Sequence, residues 1–118
     1  MSLTYEIDGS TNPVLIRMAG NLTLGPQLTK FSREIHAILS ANKPAGLILD
    51  LSAIQEVDSS GLGELVVLYT TADQHGAGLC LLNPSERVSR VVSATRLTGI
   101  LPQLPDLESA KAWIASSP

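Results

Sequence analysis

A short buried strand followed by an amphipathic helix is the pattern that most restricts the fold of this chain. The strand is predicted from the unbroken apolar run Leu47-Ile48-Leu49, because a short run with polar borders is typical of a strand covered on both faces. After a short polar turn, apolar residues recur with helical spacing at Leu62, Leu65, Val66 and Tyr69. Strand, loop and helix in this order form the repeating unit of a parallel α/β sheet.

The rest of the chain continues this alternation and predicts the order β-β-α-β-α-β-α-β-α. Strands are expected at residues 4–7, 14–19, 47–49, 79–82 and 100–101. Helices are expected after the loop at residues 20–25, after Asp58, after Asn83 and after Asp106. Asn83 is the expected cap of its helix, with Pro84 in the first turn. We therefore predict a single α/β domain over residues 1–118, with about four helices. Its mostly parallel sheet of four to five strands begins with an antiparallel hairpin whose first strand lies at an edge.

Composition and charge exclude several classes of protein. Apolar residues make up 44% of the chain and charged residues 16%, which is typical of a folded domain. The formal net charge is −3 and Lys and Arg form no cluster, so neither nucleic acid nor an anionic membrane is an expected partner. No apolar run approaches the roughly 20 residues of a membrane span, and no signal-peptide pattern is present, so we expect a cytoplasmic protein.

Cysteine and histidine give no sign of a metal or redox site. Cys80 is the only cysteine, which excludes an internal disulfide, and its apolar neighbours predict a core position. His36 and His75 lie in helical stretches and are interpreted as surface or capping residues. We predict no metal and no cofactor, because the spacings match no metal-ligand pattern and no Gly-rich phosphate loop occurs. Trp113 is interpreted as a packing residue.

The run Asp58-Ser59-Ser60-Gly61, where the predicted loop enters the helix, is the strongest candidate for function. In one interpretation it only caps the helix, with Asp or Ser accepting free backbone N–H groups. However, Gly61 and Gly63 fall in the first turn of the predicted helix, where each costs up to about 1 kcal/mol relative to Ala. Such a cost suggests close approach by another backbone or by a partner.

A second interpretation makes one of these serines a phosphoacceptor. A phosphate would add roughly −1.5 to −2 charges at a helix N-terminus, where the backbone N–H groups favour an anion. The acidic residues Asp58, Glu56 and Glu64 would oppose that charge. We therefore expect phosphorylation to disturb a docked partner more than the fold.

Two segments of the chain resemble a known family signature. Leu49-Asp50-Leu51-Ser52 and Val57-Asp58-Ser59-Ser60-Gly61-Leu62-Gly63 are similar to the signature of the STAS domain family, and especially of bacterial anti-sigma factor antagonists. The resemblance extends over essentially the whole chain and implies a STAS fold. It also implies a signalling protein without enzymatic activity that regulates transcription through protein binding.

The resemblance also implies a mechanism and its residues. The unphosphorylated protein would bind an anti-sigma factor that is itself a serine kinase, and a serine phosphatase would reset it. The phosphoacceptor is Ser59 by position, with Ser60 as second choice. The partner surface is expected to include Thr23 and the run Asp58, Ser59, Ser60, Gly61, Leu62 and Gly63. Many members carry Asp at the position of Thr23, which is one departure from the family pattern.

Other interpretations of the chain stay open. STAS-like domains also serve as accessory or ligand- and nucleotide-sensing subunits beside transporters, in which Ser59 and Ser60 would touch a ligand without being phosphorylated. A hydrolase is disfavoured, because Ser60 lacks the flanking Gly of a nucleophile elbow. Asp50 is interpreted as a group that orients a loop. Val67 and Leu68 lie outside the Leu62 face and are either buried or part of a docking patch.

Overall fold

Five strands form one sheet, in the order in which they occur along the chain. The computed structural model describes residues 2–116. The strands are β1 (Thr4–Asp8), β2 (Val14–Leu22), β3 (Gly46–Val57), β4 (Gly78–Leu82) and β5 (Gln103–Leu104). The helices are α1 (Pro26–Asn42), α2 (Ser59–Gln74), α3 (Glu86–Ala94) and α4 (Leu107–Ser116). The antiparallel pair β1–β2 places β1 at the sheet edge, and the other pairs are parallel, so the predicted architecture is confirmed.

The sequential strand order explains why most helices lie on one side of the sheet. Connections between parallel strands are right-handed, so helices that join strands advancing in one direction lie on the same face. The main core accordingly joins α1, α2 and α3 to residues such as Ile16, Leu49 and Leu81. Helix α4 packs on the opposite face, where Ala110 and Ile114 contact a smaller cluster around Ile48 and Cys80.

The ends of α2 match the local sequence. Asp58 has extended backbone angles and accepts a hydrogen bond from the N–H of Gly61, as an N-cap residue does. The helix ends at Gln74, and Gly76 adopts a φ of +74° that a residue with a side chain rarely tolerates. The predicted helix after Asp58 is therefore confirmed with its predicted stop at Gly76.

Strands β2 and β3 are longer than predicted. Residues 20–22 were expected in a loop and residues after Leu49 in a polar turn, but both segments continue the sheet. They pair with each other up to Leu22 opposite Val57, and the register shifts between Arg17 and Ala19 and again between Gly20 and Asn21. These irregularities break the period-two alternation that identifies a strand in a sequence.

Two predictions after β4 are also wrong in position. Residues 100–101 are not a strand, since Ile100 and Leu101 donate their N–H groups to Leu97 in a turn, and β5 follows at Gln103–Leu104. Helix α3 is capped by Ser85, whose hydroxyl accepts from Val88 N at 3.4 Å, and not by Asn83. Asn83 instead adopts a φ of 44°, which Asn tolerates better than most residues.

Burial decides the questions left open for the core and for α2. Cys80 is fully buried, as predicted, and Trp113 is partly buried against the smaller cluster around Ile48 and Cys80. Leu68 is fully buried, whereas the side chain of Val67 is 49% exposed. The two residues therefore do different things, because Leu68 belongs to the core and Val67 faces outward. Within residues 2–116, no helix has the length and apolarity required to cross a bilayer.

Candidate functional site

The candidate site lies where the parallel strands β2 and β3 end side by side. Leu22, the last residue of β2, is paired in register with Val57, the last residue of β3. The chain then enters the loop at residues 23–25 on one side and Asp58 on the other. The N–H of Asp58 donates to the carbonyl of Leu22 at 3.3 Å, so the two chain segments are joined at this edge.

The Asp58 carboxylate holds both segments in place. Its Oδ1 accepts from the N–H of Gly61 at 2.8 Å, which caps α2, and its Oδ2 accepts from the N–H of Leu24 at 3.0 Å. These two backbone donors, that of Leu24 first, hold the pKa of the carboxyl below its usual value. Asp58 is therefore ionised at neutral pH and fixes the loop after β2 against the start of α2.

Gly61 allows α2 to begin directly against the end of β2. A Cβ at this position would lie 1.9 Å from the carbonyl oxygen of Leu22, which is backbone and cannot move aside cheaply. The two glycines were expected to mark close approach by another backbone or by a partner, and for Gly61 close approach by another backbone is confirmed. Gly63 differs, because it lies at the fifth position of α2, just beyond the first turn, and a Cβ there would meet no atom within 4 Å.

The two serines occupy the first two positions of α2. Ser59 is exposed and Ser60 is half-buried. Neither hydroxyl has a hydrogen-bond partner among residues 2–116. The Ser59 hydroxyl is thus open to solvent at a helix N-terminus, and it lies next to the fixed carboxylate of Asp58.

The acidic surroundings are less uniform than the sequence suggested. Glu56 forms an ion pair with Arg87 of α3, with 2.9 Å between Arg87 Nε and Glu56 Oε1, which offsets its charge. Glu64 is half-buried, and its Oε2 is covered by protein without a hydrogen bond within the described chain. Within the described chain, Asp58 and Glu64 are therefore the acidic residues near the serines that form no ion pair with a basic side chain.

The loop after β2 adds one residue that the sequence analysis did not select. Thr23 is half-buried, while the side chain of Leu24 is 77% exposed beside the Asp58 carboxylate that binds its backbone. An apolar residue in a short polar loop was the available signal for Leu24. Arg87 was also missed, since nothing in the sequence pairs it with Glu56 across 31 positions.

Asp50 and the two histidines have structural roles. Asp50 lies inside β3, not in a loop, and its Oδ1 accepts from the Ser52 backbone and hydroxyl at 3.0 and 2.8 Å. His75 is the C-cap of α2, and His36 bridges α1 and α2 through Thr71 Oγ1 at 3.2 Å. Among residues 2–116, no group of three or more His, Cys, Asp or Glu is placed to hold a metal.

Sequence comparisons give the chain's relatives. A profile of the family described as STAS domain matches residues 4–110. A curated relative from Thermotoga neapolitana, provisionally named an anti-sigma factor antagonist and TM1081 homologue, is 36% identical over 55 residues. The match covers 47% of this chain and 49% of the relative, so the chain spans about half the length of the curated relative it matches.

Solved structures share the fold at low sequence identity. An anti-sigma factor antagonist from Mycobacterium paratuberculosis superposes with a TM-score of 0.80 at 21% identity, covering 98% of this chain and 96% of that one. The Bacillus cell fate determinant SpoIIAA in its phosphorylated form superposes with a TM-score of 0.74 at 19% identity, covering 93% of this chain and 99% of that one. The murine anion transporter Slc26a9 superposes with a TM-score of 0.70 at 18% identity, covering 88% of this chain and 18% of the transporter.

Proposed function

We propose that this chain, which belongs to the STAS domain family, acts as an anti-sigma factor antagonist switched by phosphorylation of Ser59. In this proposal the unphosphorylated chain binds an anti-sigma factor with serine kinase activity and so releases a sigma factor. The kinase transfers one phosphate to Ser59, and a phosphatase removes it. The chain supplies a binding surface and a substrate hydroxyl, and the kinase supplies the catalysis.

The exposed Ser59 hydroxyl at the first position of α2 is the observation that carries the proposal. A kinase needs access to the acceptor oxygen, and Ser59 offers more access than the half-buried Ser60. The name of the Thermotoga relative supports the antagonist function, and the phosphorylated form of SpoIIAA supports switching by phosphorylation.

The proposed partner surface surrounds this hydroxyl. It combines Thr23 and Leu24 of one loop with the start of α2 from Asp58 to Gly63. Gly63 supports a role in partner binding, because glycine costs an exposed helix up to about 1 kcal/mol and no contact within the chain requires it here. A bare backbone at this position leaves room for a partner to approach closely.

Charge is the proposed means of switching. A phosphate on Ser59 gains from the helix N-terminus by about 0.3–1 kcal/mol, which limits its effect on the fold. It also adds charge beside the fixed carboxylate of Asp58, and a partner that covers this surface would have to desolvate both anions. Phosphorylation is therefore expected to weaken partner binding while leaving the chain folded.

The test is capture of partners from the native cell, combined with intact-mass measurement of the recovered chain. We expect a kinase in the captured material and a single added phosphate that Ser59→Ala removes and Ser60→Ala retains. Ser59→Asp should bind the kinase about tenfold or more weakly than wild type. Loss of the phosphate in Ser60→Ala alone would make Ser60 the acceptor, and unchanged binding by Ser59→Asp would exclude switching by charge.

The same experiment addresses the transporter alternative. The fold is also found within an anion transporter, so an accessory subunit is the second candidate. Recovery of a transporter or its ATPase subunit, with the chain unmodified, would favour that function over the proposed switch.

A further inference from the structure

A cavity lies at the opposite end of the sheet from Ser59. It has a volume of about 310 Å³ and opens where α2 ends and the chain turns into β4. Helix α2 has 16 residues, about 24 Å at 1.5 Å per residue, and separates the two regions. The cavity therefore shares no residue with the proposed partner surface.

The walls of this cavity are mainly aromatic and aliphatic. Tyr69 comes from α2 and Trp113 from α4, so helices on opposite faces of the sheet both contribute. Four aliphatic or ring residues complete the apolar lining: Ala77, Leu79, Ile100 and Pro102. The volume falls at the lower end of the range of roughly 300–1,000 Å³ that small-molecule sites occupy, and such sites are also lined mostly by apolar groups.

One charged residue lines the cavity. Asp73 is exposed, and its carboxylate has no hydrogen bond or ion pair among residues 2–116. No Lys or Arg is among the lining residues. Gly76, Gly78 and Gly99 also line the cavity, and a Cβ at Gly76 or Gly99 would meet no atom within 4 Å. The cavity is therefore open at these two glycines, and the one charge that it presents is negative.

We propose that this cavity binds a small organic cation, an alkylguanidinium or alkylammonium, independently of the Ser59 site. The cationic head would pair with the Asp73 carboxylate and lie against the rings of Tyr69 and Trp113, since aromatic faces attract cations. The alkyl stem would cover Ile100 and Pro102. An anionic ligand would be repelled by Asp73, and a neutral one would leave its carboxylate without a charged partner.

Trp113 makes binding directly measurable, because it is the only tryptophan of the chain and lines the cavity. The experiment titrates the full chain with butylguanidinium and, in parallel, with butylurea, which has the same shape without the charge. We expect a saturable change in tryptophan fluorescence with butylguanidinium. Butylurea should bind at least about tenfold more weakly. Equal responses to both compounds, or none to butylguanidinium, would overturn the proposal.

Two variants and two controls locate the binding. Asp73→Asn should weaken butylguanidinium binding about tenfold, to the level of butylurea, while Glu108→Gln, which removes an equal charge from an exposed position of α4, should leave it unchanged. Gly99→Val should block binding sterically while keeping the carboxylate, with folding verified by urea denaturation. Wild-type binding by Asp73→Asn would overturn the proposal, as would wild-type binding by folded Gly99→Val. Ser59→Ala should bind like wild type, because this site does not depend on the switch.

Discussion

At the scale of single residues, the two glycines of α2 have opposite structural requirements. Gly61→Ala would place a methyl group against the carbonyl of Leu22, so we expect a loss of at least about 2 kcal/mol in the free energy of unfolding. Gly63→Ala is the matched control, since the same methyl meets nothing, and helix propensity predicts a gain of about 0.5–1 kcal/mol. Urea denaturation of both variants measures the contrast, and equal effects would contradict the close contact.

The carboxylate of Asp58 gives a second prediction at this scale. Asp58→Asn cannot accept both backbone N–H groups through its amide, so we expect a loss of about 1 kcal/mol at pH 7. Because folding lowers the pKa of Asp58, its contribution is complete above the unfolded value of about 3.9 and disappears as the pH falls through the lower folded value.

The measurement is the free energy of unfolding of the wild type and of Asp58→Asn between pH 7 and pH 2. Hydrogen bonds also lower the pKa values of Asp8 and Asp106, so both proteins lose the stability contributed by these two residues as the pH falls. The difference in the free energy of unfolding between the two proteins therefore isolates Asp58. We expect the difference to shrink below about pH 4. A difference that stays constant to pH 2 would show that the carboxylate charge contributes nothing.

At the scale of elements, helix α2 has a core side and an outer side. The neighbouring residues Leu68 and Val67 lie on these two sides. Leu68→Ala should cost about 2–5 kcal/mol, because it opens a cavity under a fully buried side chain. Val67→Ala should change stability by no more than about 0.5 kcal/mol. Chemical denaturation measures both, and a large loss in Val67→Ala would contradict its outward orientation.

Elements with strong local signals could be predicted from the sequence, and elements defined by pairing could not. Pro26, Asp58 and Asp106 mark helix starts through local chemistry, and each lies at the start of its helix in the structure. The ends of β2 and β3 depend on each other across register shifts, and β5 has two residues whose strand character comes from pairing with β4. No local pattern records such contacts.

In the candidate site, too, locally encoded features could be predicted and contacts between distant segments could not. The serine pair and its capping Asp could be located from spacing, because a helix start has a sequence signature. The hydrogen bond from Leu24 to Asp58 and the ion pair from Arg87 to Glu56 join residues 34 and 31 positions apart. They arise only when the strands align their ends, so the sequence alone could not reveal them.

At the scale of the whole molecule, Cys80 reports on global unfolding. Burial in β4, an interior strand of the sheet, raises the pKa of its thiol to about 12, so native Cys80 is protonated at neutral pH and shielded from reagents. We expect alkylation at pH 8 to be slowed roughly a thousandfold or more relative to the urea-unfolded chain.

The α2 variants provide the controls for this prediction. Leu68→Ala should accelerate alkylation about tenfold for each 1.4 kcal/mol that it removes from the free energy of unfolding, and Val67→Ala should change the rate little. Alkylation of the native protein at the rate of the unfolded chain would contradict the buried position of Cys80. The stability linked to its raised pKa is present below about pH 8.5 and decreases as the pH rises toward 12.

The sheet order β1-β2-β3-β4-β5 has a consequence for biosynthesis. Each strand that leaves the ribosome finds its neighbour already made, since no later strand has to insert between two earlier ones. The hairpin can form first, and each following helix–strand unit can add to the growing edge. Assembly can thus proceed from the N-terminus during translation, because each new segment adds to the edge opposite β1, which the preceding strand has left open.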